Sequence, residues 1–259
     1  MKVHQFYTFS PLRNFCYILE DSSDELYVID PFDGADVFQR CEKLGKKVKA
    51  IINTHEHHDH VMGNDELQRL CGCEVWAHEK ARGRIKNVDN YLNDNQILKT
   101  KGNHCVKVLY TPGHTLGHLC LLVLSDEGKQ SSLICGDTLF NAGVGNCHNG
   151  GDPSVLYETF RDHIFTLDDH VLVYPGHDYL KNNLLFTLDR EPGNEMAKKK
   201  LEEVQDFPDG QFVVTTIGEE REINTFFRLS NSEIKKNLSA LECSEKDIFI
   251  KLREKRNHW

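Results

Sequence analysis

Short apolar runs punctuated by turn residues fill the first half of the chain. Residues 3–9, 15–19, 26–29 and 48–53 are rich in β-branched, aromatic and large aliphatic side chains, which predicts strands. Residues 35–44 have helical composition instead and stop at Gly45, a residue suited to a helix end. A helix over 64–70 and a strand over 74–78 follow. Strands return at 106–111, 118–124 and 132–135, and a helix over 153–167 leads into a strand at 171–174. Strands that are often adjacent, with helices between them, predict an α/β (α+β) chain whose sheets are covered by helices.

After His177 the pattern changes. Residues 179–189, 194–205, 231–241 and 244–256 are charged and amphipathic, which predicts helices, and a β signal survives only around 212–216. This places a boundary near residue 177, between a first domain over 1–177 and a smaller helical one over 178–259. No Gly/Ser linker separates them, so the second part is expected to pack directly on the first.

Composition narrows the class. The 259 residues are 39% apolar and 27% charged, an ordinary globular mix with enough chain for a core that needs no disulfides. The longest apolar run, 119–124, falls far short of the ~18 residues that span a bilayer. The first residues read as a strand rather than a signal peptide, so neither a membrane nor a secreted protein is expected. A net charge of −9 argues against a nucleic-acid surface. Nine cysteines without a Cys-x-x-Cys pair suit reduced thiols in the cytoplasm, as small buried side chains rather than nucleophiles.

Fourteen histidines are many for this length, and their placement matters more than their number. The strand at 48–53 runs into Thr54-His55-Glu56-His57-His58-Asp59-His60. A loop beyond a strand end can turn several side chains toward one point. Imidazole nitrogens and carboxylate oxygens are what a borderline cation such as Zn²⁺ accepts, and imidazole also suits iron. A solvated histidine-rich loop is the plain alternative. Three further strand-end loops weigh against it: Thr111-Pro112-Gly113-His114-Thr115, Cys135-Gly136-Asp137-Thr138 and Tyr174-Pro175-Gly176-His177. In each, a glycine allows a tight turn just before the His or Asp. Four such loops point to one metal site at one edge of a sheet sandwich.

The pattern His-x-His-x-Asp-His, then His, Asp and His, resembles the metallo-β-lactamase superfamily. The strings TPGHTLGH (111–118), CGDTLF (135–140), PGHDYLKNNLLF (175–186), EPGNEMAKKKLEEV (191–204) and TIGEEREINTFFRL (216–229) resemble its glyoxalase II branch along essentially the whole chain. The resemblance implies an αββα sandwich followed by a helical substrate-binding part, and two divalent metal ions, zinc first, with iron or manganese as alternatives. His55, His57 and His114 would hold one ion, Asp59, His60 and His177 the other, and Asp137 would bridge them. His58 has no ligand role in the family, and His118 is expected to be a buried, hydrogen-bonded structural residue. The remaining histidines get no special role.

The chemistry implied is hydrolysis of S-2-hydroxyacylglutathione, first of all S-D-lactoylglutathione, to glutathione and D-lactate, the second step of methylglyoxal detoxification. Two ions close together would supply hydroxide at neutral pH, oriented by Asp59, to attack the thioester. A thiolate leaves readily, so no dedicated general acid is needed. The thiol pocket departs from the family: Asn146 stands where Lys or Arg is usual and His148 where Tyr or Phe is usual. Tyr179 matches, and Arg253 and Arg256 align with the family's C-terminal basic pair, with Lys255 next in register. The alternatives are a persulfide dioxygenase-like enzyme or another superfamily hydrolase acting on a different thiol carrier. A superfamily nuclease, a β-lactamase and a non-catalytic metal-binding protein fit the charge or the tail less well. The partner expected is a small glutathione thioester acted on by a monomer, with neither nucleic acid nor membrane involved.

Overall fold

The structure is a computed structural model that describes residues 1–99 and 104–259. Its first sheet takes strands β1 (Lys2–Tyr7), β2 (Phe15–Glu20), β3 (Glu25–Ile29), β4 (Lys47–Ile52), β5 (Glu74–His78) and β6 (Asn90–Leu92) in that order, antiparallel up to β3 and parallel from β3 onward. The second sheet is built from β7 (Ile97–Lys99), β8 (Cys105–Tyr110), β9 (Leu119–Leu124), β10 (Gln130–Gly136), β13 (Leu172–Pro175) and β14 (Thr215–Thr216). Its order is β14-β13-β10-β9-β8-β7, with only the β10–β13 pair parallel. A two-stranded hairpin, β11 (Leu139–Phe140) and β12 (Gly143–Val144), follows β10.

Alternation along the strands sorts side chains into layers. Tyr17, Ile29 and Ile52 of the first sheet meet Val108, Leu121 and Ile134 of the second in the central core. Ile18, Val28 and Ile51 face outward under helices α1 (Gly34–Leu44) and α3 (Asn64–Cys71). On the far side, Leu122 and Leu133 pack with Leu156, Phe160, Phe226 and Phe249. These residues bring in α4 (Pro153–Thr159) and, at the end of the chain, α9 (Glu245–Asn257), whereas the short α2 (His58–Val61) puts Val61 against the outer layer of the first sheet. Helices α5 (Leu180–Arg190), α6 (Glu195–Val204) and α7 (Ile217–Ile223) share a smaller cluster around Leu184 and Ala197, and α8 (Ser232–Asn237) precedes α9. The architecture is the expected αββα sandwich with a helical tail, and part of the tail belongs to the sandwich's own core.

Several elements differ from the sequence expectation. The helix over 153–167 becomes α4 followed by a π-turn over Phe160–Ile164, closed by the Phe165 N–H on the Phe160 carbonyl at 2.8 Å. The π-turn brings Phe160 and Phe165 together against Phe227. The first strand stops at Tyr7, because Phe9 adopts a left-handed φ of 55° in the turn that follows. The helix expected over 231–241 shortens to α8, and the β signal at 212–216 to β14.

Candidate metal centre and adjoining pocket

Every sequence-nominated ligand lies at one edge of the sandwich, just past a strand end. His55 and His57 follow β4, Asp59 and His60 lie on α2, His114 follows β8, Asp137 follows β10 and His177 follows β13. Two close approaches explain two of the glycines. Gly136 has a φ of +44°, and a Cβ there would stand 2.6 Å from Thr54 Oγ1. A Cβ on Gly176 would stand 2.2 Å from Asp137 Oδ1, inside the cluster itself.

The cluster divides into two groups. In the first, His57 Nδ1 lies 3.0 Å from His55 Nε2 and 2.9 Å from His114 Nε2. The outer nitrogens are all engaged by acceptors: His114 Nδ1 on the Asn146 carbonyl at 2.6 Å, His57 Nε2 on the Asn149 carbonyl at 3.3 Å, and His55 Nδ1 on Thr54 Oγ1 at 3.0 Å. Thr54 Oγ1 gives its own proton to Asp30 Oδ2. Each ring therefore keeps its proton outside, and three bare nitrogens face one another. In the second group, His60 Nε2 and His177 Nε2 are 3.2 Å apart. Asp59 Oδ2 is 3.4 Å from His60 Nε2 and 3.5 Å from His177 Nε2. Their outer nitrogens donate to Asp30 Oδ2 (2.9 Å) and the Leu12 carbonyl (2.7 Å).

Asp137 spans both groups. Its Oδ1 lies 3.4 Å from His60 Nε2, and its Oδ2 lies 3.4 Å from His114 Nε2 and 3.2 Å from His177 Nε2. Although buried, Asp137 Oδ1 has no hydrogen-bond partner among the described residues. Facing lone pairs and an orphaned carboxylate oxygen are unfavourable unless a cation lies among them. The electrostatics agree. Burial holds His55 well below the ordinary histidine range and His114 at about 4, so both stay neutral. Burial also lowers His60, but Asp137, Asp30 and Asp59 outweigh it and raise it to about 9. Burial raises Asp137, but His177, His60 and His114 outweigh it and hold the carboxyl far below the usual range. The residues fit a pair of metal ions sharing one carboxylate. A third grouping, Asp30 with His55 and His60, also lies close together. The Asp30 oxygens are already occupied by Thr54 N, Thr54 Oγ1 and His60 Nδ1, so it supports the ligands rather than joining them.

Next to the cluster lies a pocket of about 240 Å³ between the 140–148 segment and α9. Asn146, His148, Tyr179, Arg253 and Arg256 all line it, with Phe140, Asn183 and Asn257. The Tyr179 ring stacks on His177, centroids 4.9 Å apart, and links pocket to cluster. The two arginines have different surroundings. Arg253 is 5% exposed and donates to the Val144 and Gly145 carbonyls and to Asn257 Oδ1. Burial pulls its guanidinium down to about 10, and none of its hydrogen bonds goes to a carboxylate. Arg256 is half-buried beside Phe186 and Trp259, with one long bond of 3.3 Å to Asn183 Oδ1. Lys255 is exposed and does not line the pocket.

His58 is exposed, as a non-ligand should be. His118 is fully buried, bonded to Thr111 and Thr138 through Nδ1 and accepting from the Asp137 N–H at Nε2. Sequence reasoning missed Asp30 and Asn14. Asp30 follows a strand end as the ligands do, a signal that could have found it. The partner of Asn14, Asp59, is far away in sequence and gives no such signal.

A two-sheet sandwich with a histidine–aspartate cluster at one sheet edge defines a class of metal-binding folds. Residues 10–177 match the sequence model of the Metallo-beta-lactamase superfamily, and residues 178–259 that of the Hydroxyacylglutathione hydrolase C-terminus. A hydroxyacylglutathione hydrolase from Nitrosococcus oceani is 42% identical over the full length of both chains. An Arabidopsis thaliana protein named hydroxyacylglutathione hydrolase cytoplasmic is 30% identical, covering 95% of each chain. Among solved structures, ETHE1 from Myxococcus xanthus is similar in fold, with a TM-score of 0.67 at 23% identity over 99% of this chain and 98% of that one. TTHA1623 in a di-iron-bound form aligns with a TM-score of 0.60 at 23% identity, covering 85% and 98%. The chain belongs to the metallo-β-lactamase superfamily and, within it, to the hydroxyacylglutathione hydrolase family. No helix of the described residues is long and apolar enough to cross a membrane.

Proposed function

We propose that this protein hydrolyses S-2-hydroxyacylglutathione, S-D-lactoylglutathione first, to glutathione and the free hydroxy acid, as the names of its relatives indicate. The observation that supports this best is the ligand cluster opening onto a pocket with two guanidiniums beside it. The division of labour would follow residues 1–177 for the metal cluster and 178–259 for the substrate, since Tyr179, Arg253 and Arg256 come from the second part.

His55, His57 and His114 form one ligand group, Asp59, His60 and His177 the other, and Asp137 is shared. When bound, a pair of divalent ions, zinc with iron or manganese as alternatives, supplies an acidified water and a polarised thioester carbonyl. Asp59, less buried than the histidines His55, His60, His114 and His177, would accept a hydrogen bond from the attacking water. Arg256 and Tyr179 hold the thiol carrier, with Asn146 and His148 on the facing loop. Arg253 fixes that loop by its carbonyls. The thiolate leaves without needing an acid from the chain. The −9 charge supports a small-molecule partner over nucleic acid, and nine free cysteines support a reducing compartment such as the cytoplasm. A monomer suffices, because one chain supplies every residue named.

Thiol release from S-D-lactoylglutathione, compared with release from thioesters of other carriers, tests this reading. Preference for the glutathione thioester supports it. Faster hydrolysis of a different carrier's thioester would assign Asn146 and His148 to another thiol.

A further inference from the structure

The turn between β1 and β2 supplies no ligand, yet it touches the Asp59, His60 and His177 group at two points. Asn14, 1% exposed, donates from Nδ2 to Asp59 Oδ2 at 2.7 Å. The Leu12 carbonyl accepts from His177 Nδ1 at 2.7 Å. Among the described residues no other hydrogen bond holds the Asp59 carboxylate, which sits on the single helical turn α2. Its orientation therefore depends on Asn14.

The turn is in turn held firmly. Ser10 Oγ donates to Asn14 Oδ1 at 2.6 Å and accepts from the Asn14 N–H at 3.0 Å. A flipped amide would set oxygen against the Asp59 carboxylate, so the assignment of Nδ2 is chemically forced. Arg13 has a φ of +61°, a left-handed conformation that non-glycine residues seldom adopt. Its guanidinium spans from Asp178 Oδ2 (2.6 Å) to Asp209 Oδ1 (2.7 Å), while Nε donates to the Asp178 carbonyl. The Phe15 N–H bonds the Gly176 carbonyl at 2.8 Å, next to His177. The turn thus connects the C-terminal segment at Asp209 to one half of the ligand cluster.

We infer that Asn14 is a positioning residue for Asp59, and that the 10–14 turn sets the geometry of the Asp59, His60 and His177 group. The inference rests on reading that group as one of two metal sites. Residues that hold a ligand in place commonly alter metal affinity about ten- to a hundredfold when removed.

The test is chelator competition on the zinc-loaded full chain, counting ions released. Wild type should carry two ions per chain. Asn14→Ala should release one ion at about ten- to a hundredfold weaker competition and hold the other as wild type does. Ser10→Ala, which keeps Asn14 but frees its amide to rotate, should shift the same ion by a smaller factor. It decides the matter if Asn14→Ala does not fold. Release unchanged in both variants, or both ions loosened equally, would overturn the role of Asn14 while leaving the metal reading intact. A wild type unable to hold two ions would overturn the metal reading itself, and this inference with it.

Discussion

Asp137 is the residue on which most of the cluster depends. Both of its oxygens lie within 3.4 Å of imidazole nitrogens, and among the described residues Oδ1 has no hydrogen-bond partner. If Asp137 is the shared ligand proposed above, Asp137→Ala would take a ligand from both groups at once and leave two cations close together without shared negative charge. Metal content should fall below one ion per chain, and turnover should drop by several powers of ten. Two retained ions with near-normal turnover would contradict the shared-carboxylate reading. The two arginines separate at this scale as well. Arg256 makes one long hydrogen bond within the protein, and in the proposed role of holding the thiol carrier its charge would serve ground state and transition state alike. Arg256→Ala should raise KM for S-D-lactoylglutathione about tenfold at nearly unchanged kcat, which steady-state kinetics checks. Arg253→Ala instead leaves the Val144 and Gly145 carbonyls and Asn257 Oδ1 without their donor. It should cost about 1–3 kcal/mol of stability, read from denaturant midpoints. It should also lower kcat, because the adjacent Asn146 carbonyl orients His114.

Among the elements, α7 shows how the tail is tied to the site. Its Glu220 is fully buried and accepts from Ala142 N, Asn224 Nδ2 and Thr215 Oγ1, fastening the helix to the hairpin that follows Asp137. Burial raises this carboxyl from 4.5 to about 7, although the three donors oppose the shift. The folded chain then binds the proton more tightly than the unfolded one, so this contribution to stability is complete below about 4.5 and is lost as pH rises through about 7. Glu220→Gln should remove that pH dependence, so the wild-type-minus-variant difference in unfolding free energy should decline between pH 5 and 7. A flat difference would show that the donors keep Glu220 ionised throughout. What was legible in the sequence follows physical range. The long strands declared themselves because a half-buried or buried strand needs a run of apolar residues. The residues of the histidine–aspartate cluster could be nominated because strand-end loops put them in short local strings. The π-turn at Phe160–Ile164 was not legible, since it is imposed by the ring packing of Phe160 and Phe165 on Phe227. The start of α7 was legible in principle, as Thr216 and Glu219 form a reciprocal cap. Asn14 was not, because its role exists only once the fold brings Asp59 beside it.

For the whole molecule, the central fact is that the two parts of the chain share a core and a site. Leu122 and Leu133 of the second sheet pack with Phe226 and Phe249 of the tail, and the pocket takes residues from both. Ions that bind only the folded cluster stabilise the fold by mass action, so the metal-stripped protein should unfold at lower denaturant than the loaded one. The proposed function requires a two-ion cluster formed by this chain to hydrolyse a glutathione thioester. Metal content and S-D-lactoylglutathione hydrolysis, measured on the same sample before chelation, after it and after restoring the metal, decide whether it does. The prediction is two ions per chain with turnover, loss of both on chelation, and recovery of both on metal return. Full turnover by metal-free protein, or two bound ions with no thioester hydrolysis, would contradict it.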